Sequence, residues 1–393
     1  MTTQTKLQGL IGLLDLDRKP EGITYFMMLG GAVVGGVSLA FVLLQLFLNG
    51  HSAFNTSSNV AWGAPIAFYL FFLLTSSGLS VIASLDTVFG LKIFHPVAKR
   101  CVWLAIVTLV SGFSILALEI GHPFRMLWAL PLGFQFHSPM WWMGVFYTID
   151  LILLCYKFYL MHTGDWHSDR AHKVSIASFV VCILAPGTLG LVFGMMAMRP
   201  AWYSPIMPMY FILTGFATAT AFILFLTSLI DHDSKPASEK RLYVSILPRL
   251  FWIAVLAVIG MRFGQILTGL WSNFEGMEAH WLELRSPLFH IEIWVGFVLP
   301  AILMSKQAWR ESRMMQAAAT LLFGIGIFFA RLELLIVGQV VPLFRGSFGG
   351  YAEYSPSLTE WMLVPAGFGV FYLLYGAGSW LLRLSDAPAS GED

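Results

Sequence analysis

The sequence predicts an all-α integral membrane protein with ten transmembrane helices, and three observations carry that reading. Of 393 residues, 57% are hydrophobic and only 11% charged, with a mean hydropathy of +0.74. A soluble domain carries about 25% charged residues, so a surface this poor in charge has to be solvated by lipid. Second, a helix needs about twenty apolar residues to cross a bilayer. Stretches of that kind recur at 25–49, 63–91, 101–121, 139–161, 174–198, 206–230, 250–272, 287–305, 314–340 and 358–382. Third, the basic residues are lopsided. One side of the ten-span arrangement has only Arg125, Arg199, Arg285 and Arg345, while Arg262 and Arg331 lie within spans. The rest of the 23 Lys and Arg residues fall on the other side, which the positive-inside rule assigns to the cytoplasm together with both termini.

The elements follow in order. Residues 1–24 form a cytoplasmic segment without the charged n-region, apolar run and cleavage site of a signal peptide. Leu7, Leu10, Ile11 and Leu14 recur at helical spacing, as in a short helix lying in the membrane interface. A transmembrane domain spans 25–383 and a cytoplasmic tail 384–393. The first span carries Gly30, Gly31, Gly35 and Gly36, and the second Thr75, Ser76, Ser77 and Gly78. Small residues of this sort let membrane helices approach closely. Pro186-Gly187 is expected to interrupt the fifth span, because proline removes a backbone donor. The three cysteines, Cys101, Cys155 and Cys182, fall in apolar segments without a CxxC pair and read as small core residues.

An ionisable side chain at mid-bilayer costs about 2.5–3.5 kcal/mol even on lenient scales, so each needs a reason. The deep ones are Asp86, Asp150, Arg262, Glu292, Arg331 and Glu333, with His290 and Gln265 nearby. Two residues apart on a helix means about 200° apart in direction. Arg331 therefore cannot pair with Glu333, nor His290 with Glu292, and each needs a partner on another helix. The pattern suits an ionic layer fixing the bundle, or, together with Glu119, a proton route.

The balance of charge excludes other classes. A net charge of +1 with no basic tract among aromatics gives no footprint for nucleic acid. Haem b would need facing histidines deep in the spans, and only His290 is clearly inside one, so no haem is expected. No iron–sulfur spacing, P-loop or dinucleotide fingerprint occurs, and no metal site is expected.

One stretch concentrates chemistry. From Leu116 to Val145 the third span ends in Glu119, passes through a loop with His122 and Arg125, and re-enters through Ser138, Pro139, Trp141 and Trp142. A carboxylate, an imidazole and a guanidinium thus lie within seven residues at an outward-facing membrane lip beneath aromatic rings.

Four segments bear a resemblance: Trp62–Leu85, the EIGHPFR run Glu119–Arg125, SPMWWMGVF at Ser138–Phe146, and APGTLGLVFGMMAMRPAW at Ala185–Trp202. In these the chain resembles the NrfD/PsrC family, the integral membrane subunits of polysulfide-reductase-type respiratory complexes, and specifically its longer ten-span branch. The resemblance implies two four-helix bundles plus peripheral helices. It further implies exchange of electrons between a membrane quinone, menaquinone or ubiquinone, and a ferredoxin-like [4Fe-4S] subunit on the outer face. That subunit would feed a molybdopterin or multihaem catalytic subunit, all at the bacterial cytoplasmic membrane. Glu119 matches the carboxylate of the quinone site and would exchange its proton. Arg125 would keep the site positive and help hold the partner, with Ser138 and Trp142 completing it. The chain departs from the family at Ala185, where relatives carry a tyrosine, and near Tyr69, where some carry Asn and His. The second quinone oxygen is then held by Tyr69 or His122. A secondary transporter and a purely structural anchor are the rival readings.

Overall fold

A computed structural model describes residues 22–122, 124, 125, 128, 132–229, 236–342, 350–382 and 384. Among these residues there is no strand. The principal helices are α1 (Thr24–Ala53), α2 (Ala64–Thr87), α3 (Lys92–Glu119), α4 (Pro139–His162), α5 (Asp169–Gly194), α6 (Met207–Ser228), α7 (Ala237–Trp271), α8 (Pro287–Leu303), α9 (Arg313–Val340) and α10 (Leu358–Leu381). Among the described residues nine of them are long and apolar enough to cross a membrane; the stretch expected at 287–305 forms the shorter apolar helix α8. The expected interfacial segment at Leu7–Leu14 lies outside the described residues, as do Arg345 and all but Leu384 of the tail.

The helices pack as two four-membered rings. Helices α2, α3, α4 and α5 close the first, and α6, α7, α8 and α9 the second; α2 and α5 join them through α6, and α2 also meets α9. Helices α1 and α10 pack on each other, with α10 resting on α3. Helix α2 is the hub, buried almost without interruption from Ala64 to Ser84, as a helix that is apolar all round must be. Its small-residue run works as the sequence suggested. Ser76 Oγ donates to the Ala105 carbonyl of α3 at 2.7 Å, and a Cβ on Gly78 would collide with the Gly215 carbonyl of α6. The α1–α10 contact is equally close, a Cβ on Gly35 falling 2.5 Å from Gly369 Cα.

Two expectations change. Helix α5 does not break at Pro186 but runs unbroken through it, with the ring buried. Proline deletes one donor, and a helix held on both sides by neighbours tolerates the loss. Cys101 and Cys182 are buried, but Cys155 is exposed on the outer surface of α4.

Candidate functional site

Helix α3 ends where its apolar run ends. The Ile120 amide donates to the Leu116 carbonyl, and Gly121 then turns the chain at φ +76°, a left-handed conformation suited to glycine. Glu119 is thereby left on the last turn, at the edge of a cavity of about 760 Å³ inside the first bundle. Walls come from all four helices: Tyr69 and Leu70 from α2, Phe113 and Ser114 from α3, Met143 and Thr148 from α4, and Leu189 and Phe193 from α5. Such a volume lies within the about 300–1,000 Å³ of small-molecule sites.

The cavity is almost wholly apolar, so its few polar atoms decide what it can do. Ser114 and Thr148 are spent on their own helices, donating to the Val110 carbonyl at 2.8 Å and the Gly144 carbonyl at 2.7 Å. Among the described residues Tyr69 Oη reaches only the Met143 sulfur, at 3.7 Å, a weak acceptor. The Glu119 carboxylate makes no ion pair or hydrogen bond among the described residues, and the charged groups facing it are His51 and Glu360. A carboxylate and a phenol thus remain available in a greasy chamber wide enough for a fused aromatic ring.

The remaining residues of the expected lip lie outside the wall. His122 and Arg125 are exposed, joined through the Arg125 amide, which donates to the His122 carbonyl at 3.0 Å. Ser138 starts α4, its carbonyl accepting from the Trp141 and Trp142 amides. Trp142 Nε1 donates to the Phe136 carbonyl at 2.9 Å and its ring stacks on Phe146, so it braces the loop rather than covering the cavity. Residues that sequence reasoning did not single out do enter the wall, among them Trp62 and Phe193. Trp62 is fixed at both backbone atoms by the Gln339 amide, at 3.0 and 2.9 Å, and stacks on Trp202.

The deep charges separate into two groups. In the second bundle Arg262 donates through Nε to Glu292 at 2.7 Å and through Nη2 to Glu283. His280 Nδ1 lies 2.9 Å from Glu283 Oε2. Burial alone would raise the Glu283 carboxyl, but the Arg262 guanidinium and the His280 ring hold it below the ordinary carboxylate value. Glu333 accepts from Ser286 Oγ at 3.1 Å. Arg331, 1% exposed, donates to Thr214 and lies over the Phe211 ring at 5.0 Å. His290 is not brought into this group. The π-helical run Ile291–Val298 turns Glu292 inward, while His290 faces out, exposed. Glu283 and His280, which complete the cluster, sit in a short helix inside a stretch expected to be loop.

The second group lies at the opposite end of the first bundle. Asp86 pairs with His95 Nδ1 at 2.9 Å. Between this pair and the cavity, Tyr147 Oη, both Asp150 oxygens and Lys157 Nζ, all on α4, are enclosed without a hydrogen-bond partner among the described residues.

Helical rings of this kind, with an apolar chamber and at its rim a carboxylate unpaired among the described residues, define a multi-helix membrane protein. The sequence places it more closely. The family model described as polysulphide reductase, NrfD, matches residues 52–342, and the chain belongs to that family. It is 23% identical to a subunit of the selenate reductase of Mesobacillus selenatarsenatis, across 89% of this chain and 92% of that protein. It is likewise 23% identical to the Hdr-like menaquinol oxidoreductase integral membrane subunit of Archaeoglobus fulgidus, across 93% and 96%.

Proposed function

We propose that this chain is the quinone-reactive membrane subunit of a respiratory oxidoreductase complex, with the first-bundle cavity receiving the ring of a menaquinol or ubiquinol. The observation that carries this is the Glu119 carboxylate, without an ion pair or hydrogen bond among the described residues, in the wall of a largely apolar cavity of about 760 Å³. The Archaeoglobus relative, an integral membrane subunit of an Hdr-like menaquinol oxidoreductase, supports it. A bound quinol supplies two electrons and two protons per turnover. Glu119 accepts the two protons at its carboxylate one after the other, each leaving before the next arrives, while the Tyr69 hydroxyl donates a hydrogen bond that orients the second ring oxygen and keeps its own proton. The apolar wall excludes bulk water, which strengthens both contacts.

The expected orientation puts the Glu119 end outside the cytoplasm of a bacterial cell, facing the partner subunits. These are an iron–sulfur protein of ferredoxin type and the molybdopterin or multihaem subunit it serves. Exposed Arg125 gives that rim its positive charge, with His122 beside it as a hydrogen-bonding group, and Ser138 and Trp142 hold the loop on which a partner rests. Electrons flow from quinol to the terminal reductase. Tyr147, Asp150 and Lys157 form a buried polar file from the cavity towards Asp86 and His95. Buried polar groups without protein partners are satisfied by internal water, so this file is the route for any proton drawn from the cytoplasm. The Arg262–Glu283–Glu292 cluster, with Arg331 and Glu333, is the ionic layer that fixes the second bundle.

The test is quinol turnover by the assembled complex carrying Glu119→Gln. Loss of turnover with intact assembly supports the reading, and undiminished turnover overturns Glu119 as the proton-exchanging group.

A further inference from the structure

His51 precedes the stretch matched by the family model, which begins at residue 52, and belongs to helix α1. The 3₁₀ turn Gly50–Ala53 that ends α1 carries the imidazole across the end of α3. There His51 Nε2 lies 2.5 Å from the Glu119 carbonyl oxygen. A carbonyl can only accept, so Nε2 keeps its hydrogen, and a further proton can enter the ring only at Nδ1.

The seat for this ring is built. A Cβ on Gly121 would fall 2.7 Å from His51 Cε1, so the turn after Glu119 has room for the imidazole only because residue 121 is glycine. Phe54 holds the ring edge-on at 5.5 Å. His51 is exposed, whereas Glu119 is half-buried in the cavity wall.

The other carboxylate facing Glu119 is already engaged by partners of its own. Glu360, wholly buried, already accepts from Tyr354 Oη at 2.6 Å, the Asn55 amide at 3.0 Å and the Ser357 amide at 2.7 Å. It knots α10 to the loops around it. Of the two groups facing Glu119, only His51 joins an open acceptor to solvent.

We propose that His51 carries the proton between Glu119 and the aqueous face, a role resting on the reading of Glu119 given above. Nδ1 accepts the carboxyl proton through intervening water, and the resulting imidazolium releases it from Nδ1 to solvent. Both groups return to their starting states, and the two electrons of the quinol pass separately to the iron–sulfur partner. His51 is a relay and positioning residue that need not touch the quinol.

The experiment measures menadiol oxidation by the complete membrane complex carrying His51→Gln, His51→Ala or Glu119→Gln, with and without added imidazole. Glutamine keeps a donor for the Glu119 carbonyl but cannot carry a proton. The expected result for His51→Gln is a fall of about 10²-fold in kcat with KM unchanged, the scale of general acid–base catalysis. In His51→Ala, imidazole restores the rate in proportion to its concentration, which a merely structural defect would not allow. Full activity in His51→Gln, or loss in His51→Ala without imidazole rescue, overturns the relay and leaves Glu119 in place if Glu119→Gln is inactive. Full activity in Glu119→Gln instead removes the reading on which the relay rests.

Discussion

The two bundles hold carboxylates at the same end of the fold and treat them in opposite ways. In the second, Glu283 and Glu292 close on a single guanidinium, and Arg262, Glu283 and Glu292 are all buried. In the first, Glu119 faces a cavity and has no ion pair among the described residues. Each also seats an imidazole against a glycine at the end of its second helix: His280 against Gly269 and His51 against Gly121. In one, the ring locks onto a carboxylate already paired; in the other it meets a backbone carbonyl and keeps its second nitrogen open. A charge saturated by partners is structure, and a charge left open beside a cavity is available for chemistry.

Breaking the paired side should cost the most stability. Arg262→Met leaves two buried carboxylates without their cation and is expected to destabilise the protein by about 3–5 kcal/mol. Thermal unfolding of the detergent-solubilised chain measures it, and adding Glu283→Gln and Glu292→Gln should recover much of the loss. The open side should respond in reverse. Glu119→Gln is expected to leave stability within about 1 kcal/mol, as at sites without paired charges, while quinol turnover falls about 10²–10⁴-fold. Equal melting losses in the two variants would erase the contrast between the bundles.

Smaller effects sharpen it. Tyr69→Phe removes one neutral hydrogen bond, so kcat/KM should fall about fivefold, corresponding to about 1 kcal/mol. The two second-bundle histidines should also differ. His280→Ala takes a partner from buried Glu283 and should lower stability by about 1–3 kcal/mol. His290→Ala, on an exposed face, should stay within about 0.5 kcal/mol. A melting series across Arg262→Met, Glu119→Gln, His280→Ala and His290→Ala checks the ranking.

The helices were legible because lipid imposes a length and an apolarity that a sequence cannot hide. Glu119 was legible for the same reason, as a carboxylate closing an apolar run. The short length of α8 was not, since Pro287–Leu303 is as apolar as its neighbours. Nor was it legible which of His290 and Glu292 turns outward, because periodicity only sets the two about 200° apart and does not say which side meets the bundle. Glu283 and His280 were hidden in a loop whose local sequence says nothing of Arg262. His51 was hidden by distance, meeting Glu119 across 68 positions of chain. The cavity is a property of four helices at once, and side-chain spacing on any one of them does not reveal empty space between them.

Photolabelling with an azido-naphthoquinone, followed by mass spectrometry of the crosslinked peptides, tests the central claim most directly. The account predicts saturable labelling around Tyr69, Phe113 and Met143, competed by unmodified menaquinone. Labelling confined to the phenylalanine-lined groove between α2, α6 and α9, around Phe71, Phe222 and Phe328, or labelling that menaquinone does not compete, would contradict it.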